Sequence, residues 1–174
     1  AGLQQLLAQA LPRAEVDASA PVLPRRDLMS VLAELQHSQL QPSPATLQEA
    51  GAGIHDAIAA ISGSRWPTAR MRVGQLEHDT INLVAMLVQF VLDDRNLAAP
   101  SKALLARLQI PLIKVAMLDK AFFTQKAHPA RKLLDVLAEA AIGWDAREGH
   151  DGPLYRKVDE SVQRILNEFE DKVE

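Results

Sequence analysis

Three of the five histidines stand directly before an aspartate: His55-Asp56, His78-Asp79 and His150-Asp151. His37 and His128 stand alone. Imidazole and carboxylate together suit divalent metals that activate a water for hydrolysis. Helical phosphohydrolases arrange two His and two Asp from neighbouring helices in this way. His55, Asp56, His78 and Asp79 are thus the candidate metal ligands, and the chemistry would be metal-dependent phosphoester hydrolysis. A plainer role competes at two of the three pairs. Asp79 or Thr80 stands where a helix N-cap belongs, and Asp151 precedes Pro153 as a cap would. Capping is the favoured reading, so no catalytic residue is assigned and no cofactor is expected.

Two groups of cations could hold an anion. Arg65, Arg70 and Arg72 surround Trp66 in "RWPTARMR", and guanidinium beside an aromatic ring can grip phosphate or stack on a base. His128 and Arg131 begin the helix "HPARKLL", whose free N–H groups favour negative charge. A solvated loop accounts for the first group, and capping with surface ion pairs for the second. Asp93, Asp94, Arg95 and Asn96 close a helix and suit a structural turn better than an acid/base pair. Lys114 is read as a lysine snorkelling at the bundle edge, rather than as a buried catalytic amine. No Ser–His–Asp set, P-loop or zinc spacing is present.

These residues need helices to position them. Leu and Ala dominate the composition and aromatics are 4%, which favours helix over sheet. The pattern predicts an all-α bundle of about six to eight helices with a flexible N-terminal arm. Residues 1–24 would form a short helix and a Pro-rich linker, and residues 25–174 one helical domain. The segment "RRDLMSVLAELQHSQL" places Leu28, Val31, Leu32 and Leu35 on one face. In "TINLVAMLVQFVLDD" the apolar residues run almost all the way round, leaving Asn82, Gln89 and Asp93 as a narrow polar strip. A helix so apolar belongs at the centre of its bundle.

In "RLQIPLIKVAMLDKAFF" the residue before Pro111 is pushed out of helical geometry, so a break is predicted at Ile110, with Pro111 in the first turn of a new helix. Gly143 and Trp144 are expected to close the helix that starts at Pro129. From Pro153 a last helix carries Leu154, Val158, Val162, Ile165 and Phe169 at spacings of four, four, three and four. That narrow stripe resembles a coiled-coil seam. Val158, Val162, Ile165 and Phe169 are therefore the candidate interaction surface, against the bundle or a partner, with self-association through this helix as one route.

The net charge is −3 and both halves of the chain are close to balanced, which excludes general electrostatic binding to nucleic acid. There is no cysteine, so disulfides and thiolate sites are excluded. The apolar runs are too short to span a bilayer. A cytoplasmic location fits. The chain opens and closes in helical pattern, and reads as a segment of a longer protein.

The words "DTINLVAMLVQFVLDDRNL", "KALLARLQIPLIKVAMLDKAFF" and "HPARKLL", with the terminal "LYRKVDESVQRILNEFEDKVE", resemble a large family of uncharacterised proteobacterial proteins. The resemblance covers roughly the last 105 residues. It implies an internal all-helical segment of a larger cytoplasmic protein, and it brings no catalytic residues. Some members bear the label thymidine phosphorylase. This segment offers no glycine-rich phosphate loop and no α/β alternation to support that label. The expected function is a non-catalytic interaction or scaffold module, whose partner is another protein or another part of its own chain. The alternatives are the metal-dependent hydrolase and a sensory domain binding a nucleotide or small anion.

Overall fold

Helix starts follow the prolines. In the computed structural model, which describes residues 19–38, 51–142 and 152–169, five prolines stand at or within the first turn of a helix. Pro24 is the N-cap of α1 (Arg25–His37), and Pro100 opens α4 (Ala99–Ala106). Pro111 lies in the first turn of α5 (Gln109–Leu118), Pro129 begins α7 (Pro129–Ile142), and Pro153 begins α8 (Pro153–Glu168). Proline's missing N–H is harmless there, because the first turn has no carbonyl to bond. The remaining elements are α2 (Ala52–Arg65), α3 (Gln75–Leu92) and the single turn α6 (Ala121–Thr124). Eight helices and no strand are present among the described residues, so the fold is all-α. None of these helices is long and apolar enough to cross a membrane.

The centre of the bundle is α5 against α3, with α1 across α5. Residues Gln109 to Met117 are buried all round α5, and α3 buries Ile81, Val84, Ala85, Val88 and Leu92 on one face. The central place expected of the apolar helix around residues 80–92 is thus observed, with α5 as its partner. α1 buries Leu28, Val31, Leu32 and Leu35, as its spacing predicts. Burying each such side chain contributes about 1.5–3 kcal/mol.

Several local expectations need correction. α3 starts at Gln75 rather than Thr80. Gly74 is extended, and the turn begins with Gln75, Leu76 and Glu77, so Asp79 and Thr80 lie inside the helix. Thr80 Oγ1 donates back to the Leu76 carbonyl at 2.8 Å. Ile110 is helical, and the break falls at Arg107 and Leu108. The first helical bond of α5 runs from Leu112 N–H to the Leu108 carbonyl at 3.1 Å, so Pro111 needs no bond of its own. Two of the three polar-strip residues, Asn82 and Gln89, are buried and only Asp93 is exposed, while the apolar Phe90 is 74% exposed.

The segment before α1 is tied down. Leu23 N–H bonds the Arg72 carbonyl at 2.7 Å, Arg72 N–H bonds the Pro21 carbonyl at 2.9 Å, and Arg72 Nε donates to the Ala20 carbonyl at 3.0 Å. Leu23, expected in the linker, is a core residue. The short helix expected near the start of the chain, Gly143-Trp144 and His150-Asp151 lie outside the described residues.

Candidate functional site

Two of the predicted His-Asp pairs do meet. His55 on α2 and His78 on α3 stack with ring centroids 4.2 Å apart and planes inclined by 21°. Asn82, one turn beyond His78, joins them. Its Oδ1 lies 3.1 Å from His55 Nε2 and its Nδ2 lies 3.3 Å from His78 Nδ1. One proton arrangement satisfies both contacts: His55 Nε2–H donates to Asn82, and Asn82 donates to the bare His78 Nδ1. Burial and the neighbouring His78 lower the pKa of His55 to about 4, and the Asn82 bond opposes this weakly.

The carboxylates do not join this column. Asp56 is exposed on α2, and Asp79 Oδ1 takes a 2.8 Å bond from Gln75 and stays 3.7 Å from His78 Nδ1. Among the described residues, no three His, Cys, Asp or Glu side chains are grouped to hold a metal ion. The four predicted ligands therefore split into a packed imidazole pair and two outlying acids.

The arginine cluster is dispersed by prior commitments. Arg65 pairs with Glu34 and donates to Ser30 Oγ at 2.9 Å, tying α2 to α1, and its guanidinium lies 5.4 Å from the Trp66 ring centroid. Arg72 serves the backbone clip before α1. Arg70 remains exposed. Asp93 accepts from Gln89, and Asp94 accepts from the Asn96 N–H, as a structural turn requires.

Lys114 is not at the bundle edge. It is 1% exposed, and its Nζ donates to Gln36 Oε1 at 3.0 Å. Gln36 Nε2 in turn donates to the carbonyls of Leu166 and Phe169, each at 2.8 Å. The ammonium thus faces, through one amide, the negative end of α8, and lies 5.0 Å from the Phe169 ring. Snorkelling fails because the lysine is fully buried and a polar partner, Gln36, meets its ammonium inside.

The stripe on α8 turns inward. Val158 and Val162 are core residues together with Leu166, while Ile165 and Phe169 are half-buried. Val158 and Val162 are therefore no open interaction surface. They pack the last helix onto its own domain, chiefly onto α7 with α4 and α1.

His128 makes the most developed polar contact. Ala130 N–H donates to His128 Nδ1 at 3.2 Å, so the ring caps α7. The ring's proton is then on Nε2, which donates to Asp119 Oδ2 at 3.1 Å. Asp119 Oδ1 accepts the Ala121 N–H at 2.9 Å. That backbone bond, and then the His128 bond, lower the Asp119 pKa. A free anion has no place here: the helix start is capped by His128, and a carboxylate already faces it. Arg131 lies half-buried one turn further along α7.

Beside this pair runs a groove of about 590 Å³. Its floor is α5, through Leu108, Pro111, Leu112, Val115 and Asp119. One wall is α6 and the first turns of α7, and the other is Ile165 and Phe169 at the end of α8. The signal for it was present but unread. The run "LLDVLAEAA" carries more apolar residues than one buried face can use. Leu134, Leu137, Ala138 and Ala141 are buried, whereas Leu133 and Val136 are 42% and 60% exposed.

A family model described as the second domain of a protein of unknown function, DUF1631, matches residues 22–172. The chain belongs to the DUF1631 family. The match takes in the backbone clip at Val22 and every helix from α1 to α8. Neither the curated proteins nor the solved structures gave a match to this DUF1631 domain.

Proposed function

We propose that this DUF1631 domain is a non-catalytic interaction module of a larger bacterial cytoplasmic protein, and that it works by docking a helix in the α5–α8 groove. The observation that carries this reading is the groove itself, apolar along its floor and edged by the exposed Leu133. An exposed apolar strip rimmed by polar residues is the usual mark of a docking surface. The family description supports a partner close at hand, since a second domain has neighbours in its own chain.

The proposal differs from the coiled-coil seam read in the sequence. The partner-facing residues move from Val158 and Val162 to Leu133, with Ile165 and Phe169 kept as one wall. Metal-dependent hydrolysis loses support, because Asp56 and Asp79 stand apart from the stacked imidazoles. Nucleotide or anion sensing through Arg65 and Arg72 loses support, because both are committed to partners within the domain.

Hydrogen exchange tests the reading directly. Amides at the start of α7 and around Asp119 are compared in the isolated domain and in the full-length protein. Slower exchange there in the full-length protein, lost on Leu133→Asp, is the expected result. Equal exchange in both forms would remove the docking role.

A further inference from the structure

The groove's own chemistry says more about what fills it, and this step rests on the docking reading above. Among its described lining residues Asp119 is the one charged side chain, since His128 holds its single proton on Nε2. The carboxylate is 39% exposed, and two of its lone pairs are taken by Ala121 N–H and His128. The remaining acceptor positions are open to a donor at that end of the floor.

The floor runs twelve residues, from Leu108 just before α5 to Asp119 just after it, which is about 16 Å of helix. That length matches about three turns of a second helix, which would set apolar residues at i, i+3, i+4 and i+7 along it.

We infer that the groove receives an amphipathic helix with an aliphatic stripe, and with a lysine or arginine at one end of the stripe that pairs with Asp119. The stripe supplies the burial, and the cation fixes which way the helix lies. A hydrogen-bonded, partly desolvated carboxylate repels an acidic residue in the same place. The acidic orientation is therefore rejected, and the basic one is held by a charge-assisted hydrogen bond.

The test is a display library of helical peptides about three turns long, randomised at the stripe and at both ends. It is selected against the wild-type domain, Asp119→Asn and Leu133→Asp. Circular dichroism confirms that both surface variants keep the fold. The wild type is expected to enrich aliphatic stripes with Lys or Arg at one end. Asp119→Asn should keep the stripe and lose the basic preference, and bind the wild-type-selected peptides about tenfold more weakly. Leu133→Asp should enrich nothing.

Aliphatic stripes without a basic end, unchanged by Asp119→Asn, would overturn the charge pairing and leave the docking groove standing. Failure of the wild type to enrich any peptide, or the same peptides enriched by Leu133→Asp, would overturn the docking reading and this inference with it. A parallel titration with decylamine covers the other source of an apolar cation. Saturable binding of the amine with no peptide enriched would replace the helix by a small ligand.

Discussion

Asn82 is the residue on which α2 and α3 agree. Gly51, just before α2, has φ +90°, and a Cβ built there would lie 2.5 Å from Asn82 Oδ1. Both the left-handed backbone and the close approach exclude a side chain. Gly51→Ala should therefore cost about 1–3 kcal/mol in urea denaturation. The His55 column adds a pH dependence. Its folded pKa, about 4, lies below the ordinary 6.5, so the unfolded chain binds the proton more tightly. The stabilisation is fully present above pH 6.5 and is lost as pH falls toward 4. It amounts to about 3 kcal/mol, and His55→Gln should flatten that part of the stability profile. Gln109 works the other way. Its Nε2 is buried with no hydrogen-bond partner among the described residues, so Gln109→Met should raise stability by about 1 kcal/mol. None of these contacts was legible in the sequence. Periodicity gives the face a residue occupies on its own helix, and His55 meeting His78 depends on how two helices cross.

At the scale of elements, an element is legible in the sequence where one physical signal acts alone. Proline before a run of apolar residues marks a helix start, and α7 and α8 begin where that rule puts them. It is obscured where two signals compete. Asp79 and Thr80 have cap chemistry, yet the turn beginning at Gln75 already continues the helix through them. The apolar stripe of α8 was visible, but whether it turned inward was not. Gln36 settles that direction, because its amide reaches the last carbonyls of α8 while holding Lys114. Gln36→Leu removes the donor to those carbonyls and one acceptor of the buried ammonium, at a cost of about 2–4 kcal/mol. Faster amide exchange over the last turn of α8 than over α3 is the expected signature.

For the whole molecule, the all-helical class and the central α3–α5 pair followed from composition and from two unusually apolar segments. The groove did not, because it is a gap left by four elements. The edge of the domain is also a whole-molecule property. A chain starting at Arg25 lacks the buried Leu23 and the backbone bonds of Pro21 and Leu23 to Arg72. It should be about 2–4 kcal/mol less stable than one starting at Ser19, from one buried leucine and the lost hydrogen bonds. Comparing the urea midpoints of the two chains checks this.

That clip also has a mechanical meaning. Pro21–Leu23 runs parallel to the strand-like segment at Arg72, and the two segments lead into α1 and α3. Tension arriving along the chain from the side of Ser19 meets the bonds at Arg72 before it reaches the first turn of α1. Because the segment at Arg72 leads into α3, the load passes to the helix that packs against the fully buried α5. Pulling on that end would strain the anchor point of α3, and the outer helices would feel it last.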